Sequence, residues 1–123
     1  MKRVPRTIGC PTELALELLG GKWKTVILAR LKDRPQRYNE LHRLIPRVSD
    51  KMLTQCLDDL QERGLVVREF SQGDSARYAL TAEAQSLRPL LQQLYDWGQA
   101  QAGRLGVAIL DDGEALQDEL SGQ

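Results

Sequence analysis

The feature that most constrains this chain is the run SDKMLTQCLDDLQERG, Ser49 to Gly64, which reads as one capped amphipathic helix over Asp50 to Arg63. Ser49 stands where its hydroxyl can accept from an otherwise unpaired first-turn amide, and Gly64 supplies the residue type that ends helices in a left-handed conformation. Leu53, Cys56, Leu57 and Leu60 recur at spacings of three and four and form an apolar stripe. Lys51, Thr54, Gln55 and Asp58 fall on the other side. That outer face carries hydroxyl, amide and ammonium groups suited to base edges and phosphates, although an ordinary solvated helix face is built from the same residue types.

The neighbours of this helix narrow its use. Tyr38, Leu41, Leu44 and Ile45 have helical spacing, and Pro46 ends that short helix a few residues before Ser49. Helix, tight connection and second helix is the helix-turn-helix order. After Gly64, LVVREF reads as a strand, SQGDS as a turn and ARYAL as a returning strand. The predicted fold class is therefore mainly α with a small β hairpin, a winged helix-turn-helix. Alternation puts Tyr78 and Leu80 on the core face of the hairpin and Arg77 on the other. Arg77 is the main wing candidate for phosphate or minor-groove contact and Gln72 a second, with Asp74 limiting how deeply the tip approaches DNA.

Two helices are predicted before this unit and one after it. Pro11 suits a first helical turn, with Leu14, Ala15, Leu18 and Leu19 as the buried face and Gly20-Gly21 as the stop. A second helix runs from about Lys22 to Leu31, with Trp23, Val26, Ile27 and Leu31 inward. Gly20-Gly21-Lys22 is not a phosphate loop: Leu16 stands where the first glycine is needed and Trp23 follows the lysine. From Thr81, a possible cap, Leu87, Leu90, Leu91, Leu94 and Trp97 recur at helical spacing, and Pro89 should bend or divide the helix. Such a helix either folds back on its own domain or packs against another chain; a homodimer is favoured, because a small winged domain offers little surface to cover it. The expected organisation is a single domain over 1–123, with a helix-turn-helix core at about 22–80 and a C-terminal helix at about 82–103. Leu14, Leu18, Leu87, Leu91, Leu94 and Trp97 are the expected dimer contacts. Residues 105–123, apolar then acidic, fit either a dimer-stabilising addition or a frayed tail.

Charge and composition set the remaining bounds. The net charge is zero, yet residues 1–78 carry 15 Lys and Arg against 10 Asp and Glu, whereas residues 79–123 carry 2 against 7. The first part suits a phosphate backbone and the second does not. No apolar stretch has the length of a membrane span, and MKRVPRTIGCPTE lacks an export-signal core, so a cytoplasmic protein without membrane association is the expectation. His42 is the one histidine, and no H-E-x-x-H, G-x-S-x-G or clustered ligand set occurs; no catalytic residue, cofactor or metal is expected. Cys10 and Cys56 are too far apart for a C-x-x-C motif. Cys56 lies on the apolar stripe as a core residue, while Cys10 precedes Pro11 at a helix start and near Lys2, Arg3 and Arg6, a setting that favours a thiolate. Cys10 is either a sensor of an oxidant or small electrophile or a merely packed thiol.

Taken together, these segments resemble the HxlR-type winged helix-turn-helix transcriptional regulators, a MarR-like group. The resemblance spans roughly residues 10–98 and rests on Cys10-Pro11, Gly20-Gly21-Lys22-Trp23, Arg37-Tyr38-Asn39-Glu40-Leu41, Ile45-Pro46, Ser49 to Gln55, Gly64-Leu65-Val66, Leu80-Thr81, Pro89 and Trp97-Gly98. It implies a homodimeric regulator of double-stranded DNA that pairs through its terminal helices, with recognition helix and wing as placed above, and a cysteine at Cys10 through which several members sense oxidants or electrophiles. The chain departs from the family at Asp74-Ser75-Ala76-Arg77-Tyr78, where a proline-rich approach to the second strand is frequent, and at Ala84, commonly glycine. The candidate DNA-contacting set is Arg37, Asn39, Arg43, Ser49, Lys51, Thr54, Gln55, Gln72 and Arg77. Lys51 and Arg43 would supply backbone attraction, and Thr54 and Gln55 base readout on an inverted repeat. The rival reading is a winged-helix protein-interaction module without specific DNA recognition.

Overall fold

A computed structural model of the chain describes residues 6–70, 73 and 75–110. Five α-helices, a 3-10 turn and three short strands follow in the order α1 (Pro11–Leu19), α2 (Gly21–Leu31), β1 (Gln36–Arg37), α3 (Tyr38–Leu44), α4 (Asp50–Glu62), β2 (Val66–Glu69), β3 (Arg77–Leu80), the 3-10 turn (Glu83–Leu87) and α5 (Arg88–Leu105).

The ends of α4 form as the sequence predicts. Ser49 Oγ accepts from the Met52 amide at 3.1 Å, and Val48 just outside the helix is buried with Leu53, a hydrophobic staple across the first turn. At the other end Gly64 has φ +77°, and Leu65 and Gly64 donate to the Leu60 and Gln61 carbonyls, both at 3.0 Å. These crossed bonds satisfy carbonyls that the last turn leaves unpaired. Leu53, Cys56, Leu57 and Leu60 are all buried.

The core is built around α2, which touches α1, α3, α4, α5 and β3. Contact on several sides buries more of it than one stripe: Leu28, absent from the predicted face, is fully buried beside Ile27 and Leu31, whereas Trp23 and Val26 are partly covered. α1 departs further from expectation. Leu19 is buried and Leu18 half-buried, but Leu14 and Ala15 face solvent, because α1 lies at the margin and reaches the body at its C-terminal turn.

The hairpin is part of a three-stranded sheet in the order β1-β3-β2. The extra strand is a two-residue piece, Gln36 opposite Tyr78 and Arg37 opposite Arg77, too short to announce itself by alternation. Thr81 ties the sheet to the helices: its Oγ1 donates to the Gly64 carbonyl at 2.7 Å and accepts from the Ala84 amide at 3.1 Å. The predicted C-terminal helix is divided as Pro89 suggested: a 3-10 turn ends at Leu87, and Pro89 stands in the first turn of α5.

Candidate nucleic-acid interface

The connection between α3 and α4 is held by side chains as well as by the turn. The Val48 amide donates to the Ile45 carbonyl at 3.2 Å, and the Val48 carbonyl lies 3.1 Å from His42 Nε2. Tyr38, in the first turn of α3, spans to α4: its hydroxyl donates to Asp50 Oδ1 at 2.9 Å, and Thr54 Oγ1 stands 3.4 Å away. With the phenolic proton given to Asp50, the Thr54 hydroxyl becomes the donor to Tyr38. The Thr54 contact lowers the phenol's pKa, but burial and the Asp50 carboxylate outweigh it and leave the value raised. The His42 ring lies almost parallel to that of Tyr38.

This bracing leaves the outer face of α4 open. Lys51, Thr54, Gln55 and Asp58 are exposed, and the first three share the first two turns. Asp58 puts a negative charge on the same face one turn further along. Behind the face, Lys24 Nζ pairs with Asp59 Oδ2 at 3.1 Å with both side chains mostly covered, and Arg63 Nη1 donates to the Glu17 carbonyl at 2.8 Å. The helix is thus fixed to α1 and α2 while its polar side faces outward.

The other predicted residues divide. Asn39 and Arg43 are exposed one turn apart on α3. The Ser49 oxygen is engaged in the helix cap. The backbone N–H of Arg37 donates to Glu40 Oε1 at 2.8 Å; that bond, aided by Arg34, Arg37 and Arg77, holds the Glu40 carboxyl below its ordinary range in spite of partial burial. Arg77 opens β3 in the last pair before the wing's turn, half-buried opposite Glu69 on β2 and beside Arg37 on β1. Gln72 lies outside the described residues.

Arg68 is the cation that sequence reasoning passed over. It is exposed opposite Tyr78, with its guanidinium 5.2 Å from the Phe70 ring centroid and 5.9 Å from that of Tyr78. Alternation within VVREF, which puts Arg68 on the face of Val66, was the available signal. Arg68 and Tyr78 thus stand together on the sheet, while Tyr38 and Thr54 meet between α3 and α4.

Cys10 is exposed at the N-cap of α1, and both cysteines are free thiols. Hydrogen bonding from the Thr12 amide, then the Thr12 side chain and the Glu13 amide, lowers the Cys10 pKa. The helix start, one of the two influences that the sequence suggested, provides this effect; Lys2 and Arg3 lie outside the described residues. Burial raises the pKa of Cys56. Of the expected dimer contacts, Leu14, Leu94 and Trp97 are exposed, Leu18 and Leu87 are half-buried, and Leu91 belongs to this chain's own core. Among the described residues no group of His, Cys, Asp and Glu could hold a metal ion, and no helix is long and apolar enough to cross a membrane.

Comparison with known proteins agrees with this architecture. The HxlR-like helix-turn-helix family matches residues 18–105. The HTH-type transcriptional regulator YdzF of Bacillus subtilis (strain 168) is 40% identical over 106 residues, covering 84% of this chain and 97% of that protein. YdeP of the same organism is 35% identical over 99 residues, covering 79% and 77%. Among solved structures, the redox regulator HypR in its oxidized form superposes with a TM-score of 0.69 at 35% identity, covering 74% of this chain and 96% of that one. Quinone-bound YodB from B. subtilis gives 0.61 at 33% identity, covering 74% and 99%. With its helix-turn-helix, wing and residue matches in register over most of its length, the chain belongs to the HxlR-like helix-turn-helix family of transcriptional regulators.

Proposed function

We propose that the chain is a sequence-specific regulator that binds double-stranded DNA as a homodimer on an inverted repeat. The carrying observation is the exposed group Lys51, Thr54 and Gln55 on the first two turns of α4, braced by Tyr38 and backed by a buried stripe. Thr54 and Gln55 read base edges, while Lys51, Asn39 and Arg43 meet phosphates and the Ser49 cap contributes its hydroxyl proton. Arg68 extends the contact at the wing, with Arg37 and Arg77 paired beside it on the sheet. The unit from about 22 to 80 is the DNA-binding core, and the work is done in the cytoplasm.

Exposed apolar side chains support the dimer. Trp97 is 67% and Leu94 45% exposed, and with Leu14 they give α1 and α5 surface that a second copy would cover. A two-fold pair would present its α4 helices about 34–36 Å apart. Cys10 serves as a thiol responsive to an oxidant or small electrophile. Its lowered pKa and exposure support this role, as does the likeness to a redox regulator and to a quinone-bound protein.

Genomic selection of bound fragments, followed by titration of the selected and scrambled duplexes, tests the reading. The selected duplex should bind far more tightly, and Gln55→Ala should reduce that preference. Equal binding of both duplexes would instead favour an interaction module. Sedimentation of Trp97→Ser should show a shift from dimer toward monomer; an unchanged dimer would remove α5 from the interface.

A further inference from the structure

We propose that the groove between α2 and α5 binds a small monocarboxylate with an apolar body, held through Lys32. The groove encloses about 600 Å³, within the range of small-molecule sites. Val26, Leu91, Leu94, Tyr95 and Ile109 supply its apolar walls. Lys32, at the C-terminal end of α2, brings a buried cation to that lining, its side chain only 9% exposed.

Lysine is almost never buried without a close partner, and its ammonium has three protons to place. Here Nζ reaches the Ala29 carbonyl at 3.4 Å and Asp33 Oδ1 at 3.5 Å, both beyond good hydrogen-bond length, and lies 5.3 Å from the Tyr95 ring centroid. The Asp33 side chain is 74% exposed, so water competes for it and the pair is weak. A carboxylate entering the groove would accept shorter, charge-assisted bonds from Nζ while its apolar body covered Val26 and Tyr95. The surroundings select the charge. One ammonium offsets one negative charge, whereas a doubly charged phosphate would take excess charge into an apolar wall. Arg30 and Asp33, of opposite sign, also line the groove and leave Lys32 as its net cation.

The site is distinct from the nucleic-acid face and is tested without DNA. The full chain, labelled with ¹⁵N, is titrated at constant ionic strength with benzoate and with neutral benzamide, following the amides of Gly98 and Gln99, which line the groove. Benzoate should shift them saturably and bind about tenfold or more tightly than benzamide. Lys32→Met keeps the apolar stem and should lose benzoate binding by about the same factor. Asp33→Asn removes the competing carboxylate from an exposed position and should tighten binding. Equal affinities for the two probes, wild-type binding by Lys32→Met, or absence of saturable shifts, as when a second copy of the chain fills the groove, would overturn the proposal. Should Lys32→Met fail to fold, Asp33→Asn decides it, and unchanged or weakened benzoate binding overturns it.

Discussion

The hydroxyl of Tyr38 donates to the carboxylate of Asp50 across 2.9 Å, so the first turn of α3 grips the first turn of the helix that carries Lys51, Thr54 and Gln55. The same hydroxyl stands 3.4 Å from Thr54 Oγ1, so the bracing reaches a side chain of the outer face. Tyr38→Phe keeps the ring and removes the grip. It should cost about 0.5–1.5 kcal/mol at most in stability and weaken specific DNA binding about two- to tenfold, with little change on random duplex. Anisotropy titrations on both duplexes decide this; a uniform loss would make Tyr38 a general structural residue.

Cys10 and Cys56 should separate by reactivity. The amides at the start of α1 lower the Cys10 pKa, whereas burial raises that of Cys56. Iodoacetamide should therefore label one thiol of the folded protein at a rate already rising below the ordinary thiol range, near pH about 8.5. Cys10→Ser should abolish that phase, and a rate profile matching a free model thiol would refute the shift.

Glu40 makes stability depend on acid. Its folded pKa lies below the ordinary 4.5, first through the Arg37 backbone amide and then through the surrounding arginines. A carboxyl depressed by folding adds stability above its unfolded pKa, and the contribution is lost as pH falls through the folded value. Glu40→Gln retains an acceptor but not the charge, so it should melt lower than wild type at neutral pH. The difference in Tm should close as the solution is taken below the carboxylate range; a difference constant with pH would contradict this origin.

Two glycine substitutions should act in opposite directions. A Cβ at Gly64 meets nothing within 4 Å, but φ is +77°, so Gly64→Ala should cost about 1–2 kcal/mol through backbone strain alone. Gly103 lies within α5 and also has open space, so Gly103→Ala should stabilise by about 0.5–1 kcal/mol. Chemical denaturation of both variants measures the pair, and loss of stability in both would point to packing that the glycines protect.

The local chemistry of the chain was legible where it repeats or terminates. Ser49 and Gly64 bounded α4, the leucine spacing gave its inner face, and Pro46 marked the turn before it. Those signals act between residues a few positions apart, so they survive in the sequence alone. Family resemblance strengthened two expectations that rested on element order and helix pattern, recognition by α4 and pairing through the terminal helices.

Other features depended on elements distant in sequence. β1 is a strand because Gln36 and Arg37 find β3 some forty residues later, and this sets Arg37 beside Arg77. Leu28 is core because α2 is covered on several sides, and Leu91 is taken inward while its neighbours Leu90 and Leu94 stay exposed. The bond from Tyr38 to Asp50 joins two helices whose spacing only the turn sets. For this protein the sequence by itself determined the helices, their caps and the side of α4 that faces outward, because these follow from short-range backbone sterics and periodic burial. Only the tertiary structure decided which cations stand beside that helix and which apolar residues stay uncovered, because those depend on contacts made across the whole chain.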